Sequence, residues 1–285
     1  MNKKVLCIIP TLNAEYEIEI LINKLLLQKD VVLDILVIDS SSDDNTVSIL
    51  NRLDVNYIII DKKDFNHANT RNIALNYKAD FYMFMTQDAI PYDEYLVKNL
   101  LSSFQNDIVV SYARQIPKKD ADLIETYARG KNYPEDSSIK SKNDLKTLGI
   151  KTFFSSDSCA MYEANYFKEV KGFTFNLNTN EDMEFAARAI LNDKKIYYNA
   201  DARVYHSHNF TFLDIWKRYK TIGIFFKNNK WILDEVNKNI KITNSGITQA
   251  IDEIKYLYKI DKRVILKSVA ISFIKFLAFK IGNKF

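Results

Sequence analysis

The sequence predicts an α/β protein: a mostly parallel sheet flanked by helices, followed by a C-terminal helical extension. Three observations carry that prediction. Near-continuous apolar runs of strand length recur at residues 4–9, 35–38, 57–60 and 81–85, separated by stretches of helical spacing. Each of these runs ends in a polar cluster, as expected where parallel strands deliver their carboxyl ends to a ligand cleft. From residue 212 onward the pattern is helical throughout.

The elements follow in order. After the run at 4–9 comes Pro10-Thr11-Leu12-Asn13-Ala14-Glu15, and residues 16–27 then have helical spacing. The run at 35–38 leads into Asp39-Ser40-Ser41-Ser42-Asp43-Asp44, with a helix at 44–53 capped by Ser42 or Asp43. The run at 57–60 opens onto residues 61–71, with a helix at 69–77, and the run at 81–85 onto Thr86-Gln87-Asp88. Further on, 108–112 and 158–162 read as strands, 121–131 and 181–191 as helices, and 196–208 as extended chain. Residues 132–146 are charged and serine-rich and read as a mobile loop. The expected division is a domain over 1–225, with halves at about 1–112 and 113–225, and a helical extension over 226–285.

Composition excludes several classes. Among 285 residues, 47% are apolar and 27% charged, which suits a globular protein with a substantial core. The net charge of +4 is too small to argue for nucleic acid as a partner. Cys7 and Cys159 are the two cysteines, too few for a disulfide framework, and both sit in apolar runs that suit buried thiols in a reducing compartment. Pro10 interrupts the first apolar stretch well short of a signal peptide, and no apolar run reaches membrane-spanning length, so the expected location is the cytoplasm. All six glycines lie at or after Gly130. A glycine-rich phosphate cradle therefore cannot exist in the first 129 residues, and any phosphate there needs side chains, a helix N-terminus or a metal.

The series Ile9-Pro10-Thr11-Leu12-Asn13-Ala14-Glu15, Val37-Ile38-Asp39-Ser40-Ser41-Ser42-Asp43-Asp44, Thr86-Gln87-Asp88-Ala89 and Asn180-Glu181-Asp182 resembles the family 2 inverting glycosyltransferases with the GT-A fold. The segments 65–72 and 204–211, with His67, His206 and His208, resemble the rhamnosyltransferase branch, which uses dTDP-rhamnose to build bacterial surface polysaccharides. The resemblance spans about residues 3–225. It implies a nucleoside-diphosphate sugar as donor, dTDP-rhamnose or a UDP-sugar, and a glycan or glycolipid hydroxyl as acceptor.

The resemblance also assigns roles. Asp39 would accept the ring N–H of a pyrimidine base, with Pro10, Thr11 and Asn13 as the other wall, and Glu15 would hold that turn or approach the ribose. Ser40 and Gln87 belong to the same nucleotide site. Asp88 would bind Mg²⁺ or Mn²⁺, although Thr86 stands where the family pattern has a first acid. His206 or His208 would complete the shell, and imidazole favours Mn²⁺ slightly. Arg71 would pair with phosphate or lock a carboxylate such as Asp88, or else form a scaffold salt bridge, while His67 would order its loop or touch the nucleotide. Asp182 matches the family's base, at a helix start whose dipole favours the ionised form. Gly172, Glu181 and Arg218 would shape the acceptor pocket or contact the diphosphate. The plain alternatives are that Asp39 and Asp44 cap a helix, that Glu181 and Asp182 merely decorate one, and that Arg218 is solvated.

Two rivals stand beside this reading. A sugar-nucleotide nucleotidyltransferase wants a glycine-rich loop after the first strand, which 11–15 lacks. A degenerate, non-catalytic sugar-nucleotide scaffold finds support only in Thr86. Residues 262–285 contain six Lys or Arg and no acid, so the last helix either contacts a membrane surface peripherally or packs on protein with its lysines in water.

Overall fold

The computed structural model describes residues 3–239 and 245–284, so residues 240–244 and Phe285 of the expected helical extension lie outside it. Its strands are β1 (Lys4–Thr11), β2 (Val32–Asp39), β3 (Asn56–Ile59), β4 (Phe81–Met85), β5 (Ile90–Pro91), β6 (Ile108–Ile116), β7 (Ser138–Lys140), β8 (Cys159–Glu163) and β9 (Lys195–Tyr205). The helices are α1 (Ile18–Leu26), α2 (Thr46–Arg52), α3 (His67–Asn72), α4 (Leu96–Ser102), α5 (Leu123–Asn132), α6 (Leu145–Leu148), α7 (Ala164–Glu169), α8 (Glu181–Leu191), α9 (Phe212–Asn228), α10 (Lys230–Asn239), α11 (Ser245–Ile260) and α12 (Ile265–Lys284). The chain forms two units. The first takes the described residues up to Gln115 with Pro134–Lys142 and Phe153–His206, and the second takes Ile116–Tyr133, Asn143–Thr152 and the described residues from Ser207. The helical unit thus begins at Ser207, where the sequence suggested a break near 225, and it recruits two earlier segments.

The first unit is one mixed sheet ordered β3-β2-β1-β4-β8-β6-β9-β5, with β7 paired to β9. Its first four strands are parallel, as the alternating pattern requires, because helices must cross over between them. Beyond β4 the sheet continues antiparallel through β8 and β6. Helix α1 buries Ile18, Leu21, Ile22 and Leu25, a stripe at helical spacing, onto β1, β2 and β4. On the other side Phe84, Tyr162, Phe167, Phe173 and Phe185 form an aromatic cluster, Tyr162 and Phe185 meeting edge to face at 5.0 Å. That cluster seats α8 and the chain before it. Cys7 and Cys159 are buried free thiols, and burial pushes both up from the ordinary thiol range.

Three expectations change. Residues 132–146 do not form one long loop: Ser138–Lys140 pairs with β9, and Lys140 is buried with its Nζ donating to the Tyr112 hydroxyl at 2.6 Å. The third helix starts at His67, two residues early, because the Asn66 side chain accepts the N–H groups of Ala68 and Asn69. The second helix starts at Thr46 without a side-chain cap from Ser42 or Asp43, and Asp44 accepts the Thr46 N–H at 2.9 Å instead.

In the second unit, α9 opens with a capping box between Thr211 and Asp214. It packs along α12 at a point where both helices carry glycine. A Cβ on Gly223 would strike the Phe279 carbonyl, and one on Gly282 the Lys220 carbonyl, so only glycine permits this backbone approach. Ile124, Ile215, Leu257 and Ile271 bring α5, α9, α11 and α12 into one small core. No helix among the described residues is long and apolar enough to cross a membrane.

Candidate active site

The loops after β1, β2 and β4 are laced into one rim of the first unit. Gln87 Oε1 accepts the Leu12 N–H at 2.9 Å and its Nε2 donates to the Leu12 carbonyl at 3.2 Å. The Asn13 N–H donates to Ser42 Oγ at 2.8 Å, and the Asp43 N–H to Asn13 Oδ1 at 3.1 Å. Glu15 accepts from the Asn45 backbone and side-chain amides, so it holds the turn, and its own N–H goes to Asp44. Asn13 and Ser41 both have positive φ, near 50° and 58°, which lets each loop turn sharply without glycine. Pro10 and Thr11 end β1, in register with Ile38 and Asp39.

Asp39 is fully buried. Its oxygens accept from the Ser42 N–H at 2.8 Å, from Ser42 Oγ, and from Thr11 Oγ1 at 3.3 Å. As placed, this carboxylate braces the loop rather than presenting itself to a ligand. Ser40 beside it is buried, and its hydroxyl has no hydrogen-bond partner among the described residues. The buried Thr86 hydroxyl is in the same condition.

Asp88 and His206 come together through a strand too short to read in sequence. Ile90 and Pro91 pair antiparallel with Tyr205 and Val204, and this register carries Asp88 to the end of β9. His206 Nε2 lies 3.4 Å from Asp88 Oδ1. The buried ring is oriented from behind, its Nδ1 lying 2.8 Å from Gln115 Oε1 while Gln115 Nε2 donates to Ser156 Oγ. Gln115 Oε1 can only accept, so Nδ1 donates to it, and Nε2 is the ring nitrogen that faces Asp88. This carboxylate oxygen and imidazole nitrogen belong to a possible Asp/His metal site, and the outer hydrogen bond is of the kind that orients metal-bound histidines. His208 stands two residues on, in the second unit, with its N–H on Glu125 and its ring 4.8 Å from Phe210.

The expected base sits in a buried cluster of charge. Asp182, in the first turn of α8, accepts the Met183 N–H at 2.7 Å and the Asp157 N–H at 3.2 Å. Removal from water and the neighbouring Glu181 push its carboxyl up to about 6, against the pull of its backbone donors and Arg71. Asp157 is raised well above the carboxylate range, chiefly by burial, with Arg71 opposing and Asp182 and Glu181 adding to it. Its Oδ1 accepts the Tyr162 hydroxyl at 2.6 Å.

Arg71 and Glu181 pair with each other, which is the scaffold salt bridge that stood as the alternative for Arg71. The Arg71 guanidinium reaches neither Asp88 nor an exposed phosphate position: it is buried, with Nη1 on Glu181 at 2.7 Å and Nε 3.6 Å from Asp157. Glu181 is buried in that pair and does not face an acceptor. His67 supports the arrangement, with Nδ1 3.3 Å from Arg71 and its ring edge-on to Phe65. Three carboxylates gathered around one guanidinium cannot all stay ionised cheaply, and this crowding adds to the burial that chiefly raises Asp182 and Asp157.

Sequence reasoning missed Asp157 and a ladder of asparagines. Asp157 precedes β8, and because β8 runs antiparallel to β4 its start lies beside the end of β4, Cys159 opposite Met85. The signal was present, but the rule applied covered only residues that follow strands. Asn66, Asn69 and Asn72 recur every third residue around α3 and bind Asn178, Asn176 and Phe173. Asn72 bonds both the N–H and the carbonyl of Phe173 at 2.8 Å. Gly172, with φ of 72°, tucks under the Asn72 amide where a Cβ would clash, and Arg188 donates to its carbonyl. The ladder therefore holds the segment that leads into Asp182. Arg218 lies exposed on α9 in the second unit, its guanidinium 5.6 Å from the Phe210 ring centroid.

Comparison with known proteins supplies the family context. Residues 6–171 match the family model described as glycosyl transferase family 2. The chain is 37% identical to the O-antigen chain rhamnosyltransferase RfbN of Salmonella typhimurium, over 98% of this chain and 90% of that protein. It is 39% identical to the O-antigen chain rhamnosyltransferase WbaN of Salmonella anatum, over 87% and 79%. Among solved structures, a mannosyltransferase from Pyrobaculum calidifontis, in complex with GDP-Man and Mn²⁺, superposes with a TM-score of 0.63 at 14% identity, covering 99% of this chain and 87% of that one.

Proposed function

The chain belongs to glycosyl transferase family 2, and from that premise we propose that it transfers rhamnose from dTDP-rhamnose to a hydroxyl of a lipid-linked glycan. The setting is bacterial surface-polysaccharide synthesis at the cytoplasmic face of the membrane. The observation that carries the donor assignment is the 37% identity to an O-antigen rhamnosyltransferase along 98% of the chain.

In this reading the rim formed by 10–15, 39–44 and Gln87 receives the thymidine, and the orphan hydroxyls of Ser40 and Thr86 are available to the donor. Asp88 and His206 would hold a divalent cation, Mn²⁺ or Mg²⁺. The donor set of one carboxylate oxygen and imidazole nitrogen fits such an ion. When bound, the ion neutralises charge on the departing diphosphate. The acceptor hydroxyl attacks the anomeric carbon opposite the diphosphate, and Asp182 takes the hydroxyl proton as the new C–O bond forms. A carboxyl pushed up to about 6 is ionised at neutral pH and more basic than an ordinary aspartate, which suits that task. Arg71, Glu181 and Asp157 set its position and basicity without touching substrate.

Calorimetry with dTDP-rhamnose, UDP-glucose and UDP-galactose, in Mn²⁺ and again in EDTA, tests this. Tight binding of dTDP-rhamnose alone, weakened by EDTA and by His206→Ala, is the expected result. Preference for a UDP-sugar overturns the donor assignment, and binding to none of them overturns the transferase reading.

A further inference from the structure

Helix α12 is apolar on two opposite faces, and only one of them is covered. The covered face, with Ser268, Ile271, Ala278 and Gly282, lies against the second unit, Gly282 on the α9 backbone. On the opposite face Leu266, Val269, Phe273 and Phe276 are 82%, 47%, 61% and 55% exposed. Their spacing of three, four and three residues sets them in one straight stripe of about 15 Å along the helix. Lys280 and Lys284 continue the same stripe, both exposed, with Lys280 Nζ 4.9 Å from the Phe276 ring centroid. Four large apolar side chains in line are not the scattered exposure of an ordinary surface.

We propose that this stripe is a docking face for an anionic membrane surface, with Leu266, Val269, Phe273 and Phe276 entering the headgroup–acyl boundary and Lys280 and Lys284 meeting lipid phosphate. Charge complementarity selects this occupant. Residues 262–284 carry six basic side chains and no acid; Arg263 and Lys267 pair with Asp261 and Asp122, and Lys280 and Lys284, in line with the stripe, give it the positive end that attracts an anionic plane. A second copy is a poor match. Antiparallel pairing of two stripes sets the lysine end of one against the apolar end of the other, with no carboxylate on the helix to receive it. The covered face excludes spanning, because α12 cannot surrender Gly282 and Ile271 to lipid without leaving α9 and the small core. The helix therefore lies in the plane of the surface. The inference deepens the lipid-linked-acceptor reading and takes only its purpose from it.

Co-sedimentation of the full chain with vesicles tests it without donor or acceptor, so a failure here leaves the transfer reaction standing. Vesicles of phosphatidylcholine with roughly a third phosphatidylglycerol are compared with phosphatidylcholine alone, at low and high salt. The variants are Phe273→Ser/Phe276→Ser and, separately, Lys280→Glu, each checked for native circular dichroism. The expected result is binding to the anionic vesicles that falls at least about tenfold in the double serine variant and on neutral lipid, and weakens with salt and in Lys280→Glu. Absence of vesicle binding overturns the proposal, as does binding that the serine variant retains. A wild-type dimer that the same variant converts to monomer assigns the stripe to a second copy and overturns it as well.

Discussion

Asp182 draws its chemistry from its neighbours. Burial and Glu181 push it up to about 6, and the raised Asp157 shares the same guanidinium. The consequence for stability has a definite sign. Folded Asp182 keeps its proton to about pH 6, whereas the unfolded chain releases it near about pH 4. The folded state binds more protons in that window, so stability falls as pH rises through it. Asp182→Asn removes that cost and is expected to raise stability above about pH 6 by about 1–2 kcal/mol, read by urea denaturation at two pH values, while abolishing transfer. Arg71→Met acts oppositely: it strands Glu181 and Asp157 in a dry site and is expected to cost about 3–5 kcal/mol in the same assay. At this scale the sequence revealed type and order but not pairing. Asp88 and Asp182 were legible as cleft candidates because one follows an apolar run and the other opens a helix, while their expected roles, and the choice of His206, came from the family resemblance. Arg71 was legible as a site residue, yet its partner depends on which of several carboxylates the fold brings near, and sequence spacing carries no such information.

Short elements set the site's geometry. The two-residue strand β5 fixes Asp88 against His206, and nothing in Ile90-Pro91 announces a strand, since periodicity needs more residues than it has. Strand β7 was hidden for a different reason: it is three residues long, Ser138 and Lys140 around a single Ile139 inside a charged stretch, and pairing with β9 overrides that context. The asparagines of α3 read as ordinary helix surface until the 173–178 segment is seen lying on them. Gly172→Ala places a Cβ in the Asn72 amide and forces positive φ on alanine. It is expected to destabilise by about 1–3 kcal/mol and to lower transfer while donor binding by calorimetry holds, because the disturbed segment leads to Asp182 and not to the nucleotide rim. Equal losses in donor binding and transfer would assign the ladder to the donor side instead.

For the whole molecule, the parallel half was legible because buried parallel strands must be apolar along their length and must alternate with helices. The antiparallel continuation through β8 and β6 was not, since no local signal tells a strand which neighbour it will join or in which direction. The same limit explains Asp157. The family model stops at residue 171, before Asp182 and His206, so the roles proposed for these two residues rest on their geometry and not on the family match. The apolar stripe of α12 also emerges only at this level: composition shows a basic, apolar helix, and the packing of α9 decides which face is left over.

The most direct test is the rate of dTDP release from dTDP-rhamnose in the presence of a lipid-linked acceptor, measured from about pH 5 to about pH 8 for the wild type and Asp182→Asn. The expected result is a wild-type rate that falls below about pH 6 as the base is protonated, and an Asp182→Asn rate at least about a hundredfold lower with donor affinity unchanged. Transfer that survives in Asp182→Asn, or a wild-type profile flat through pH 6, contradicts Asp182 as the base.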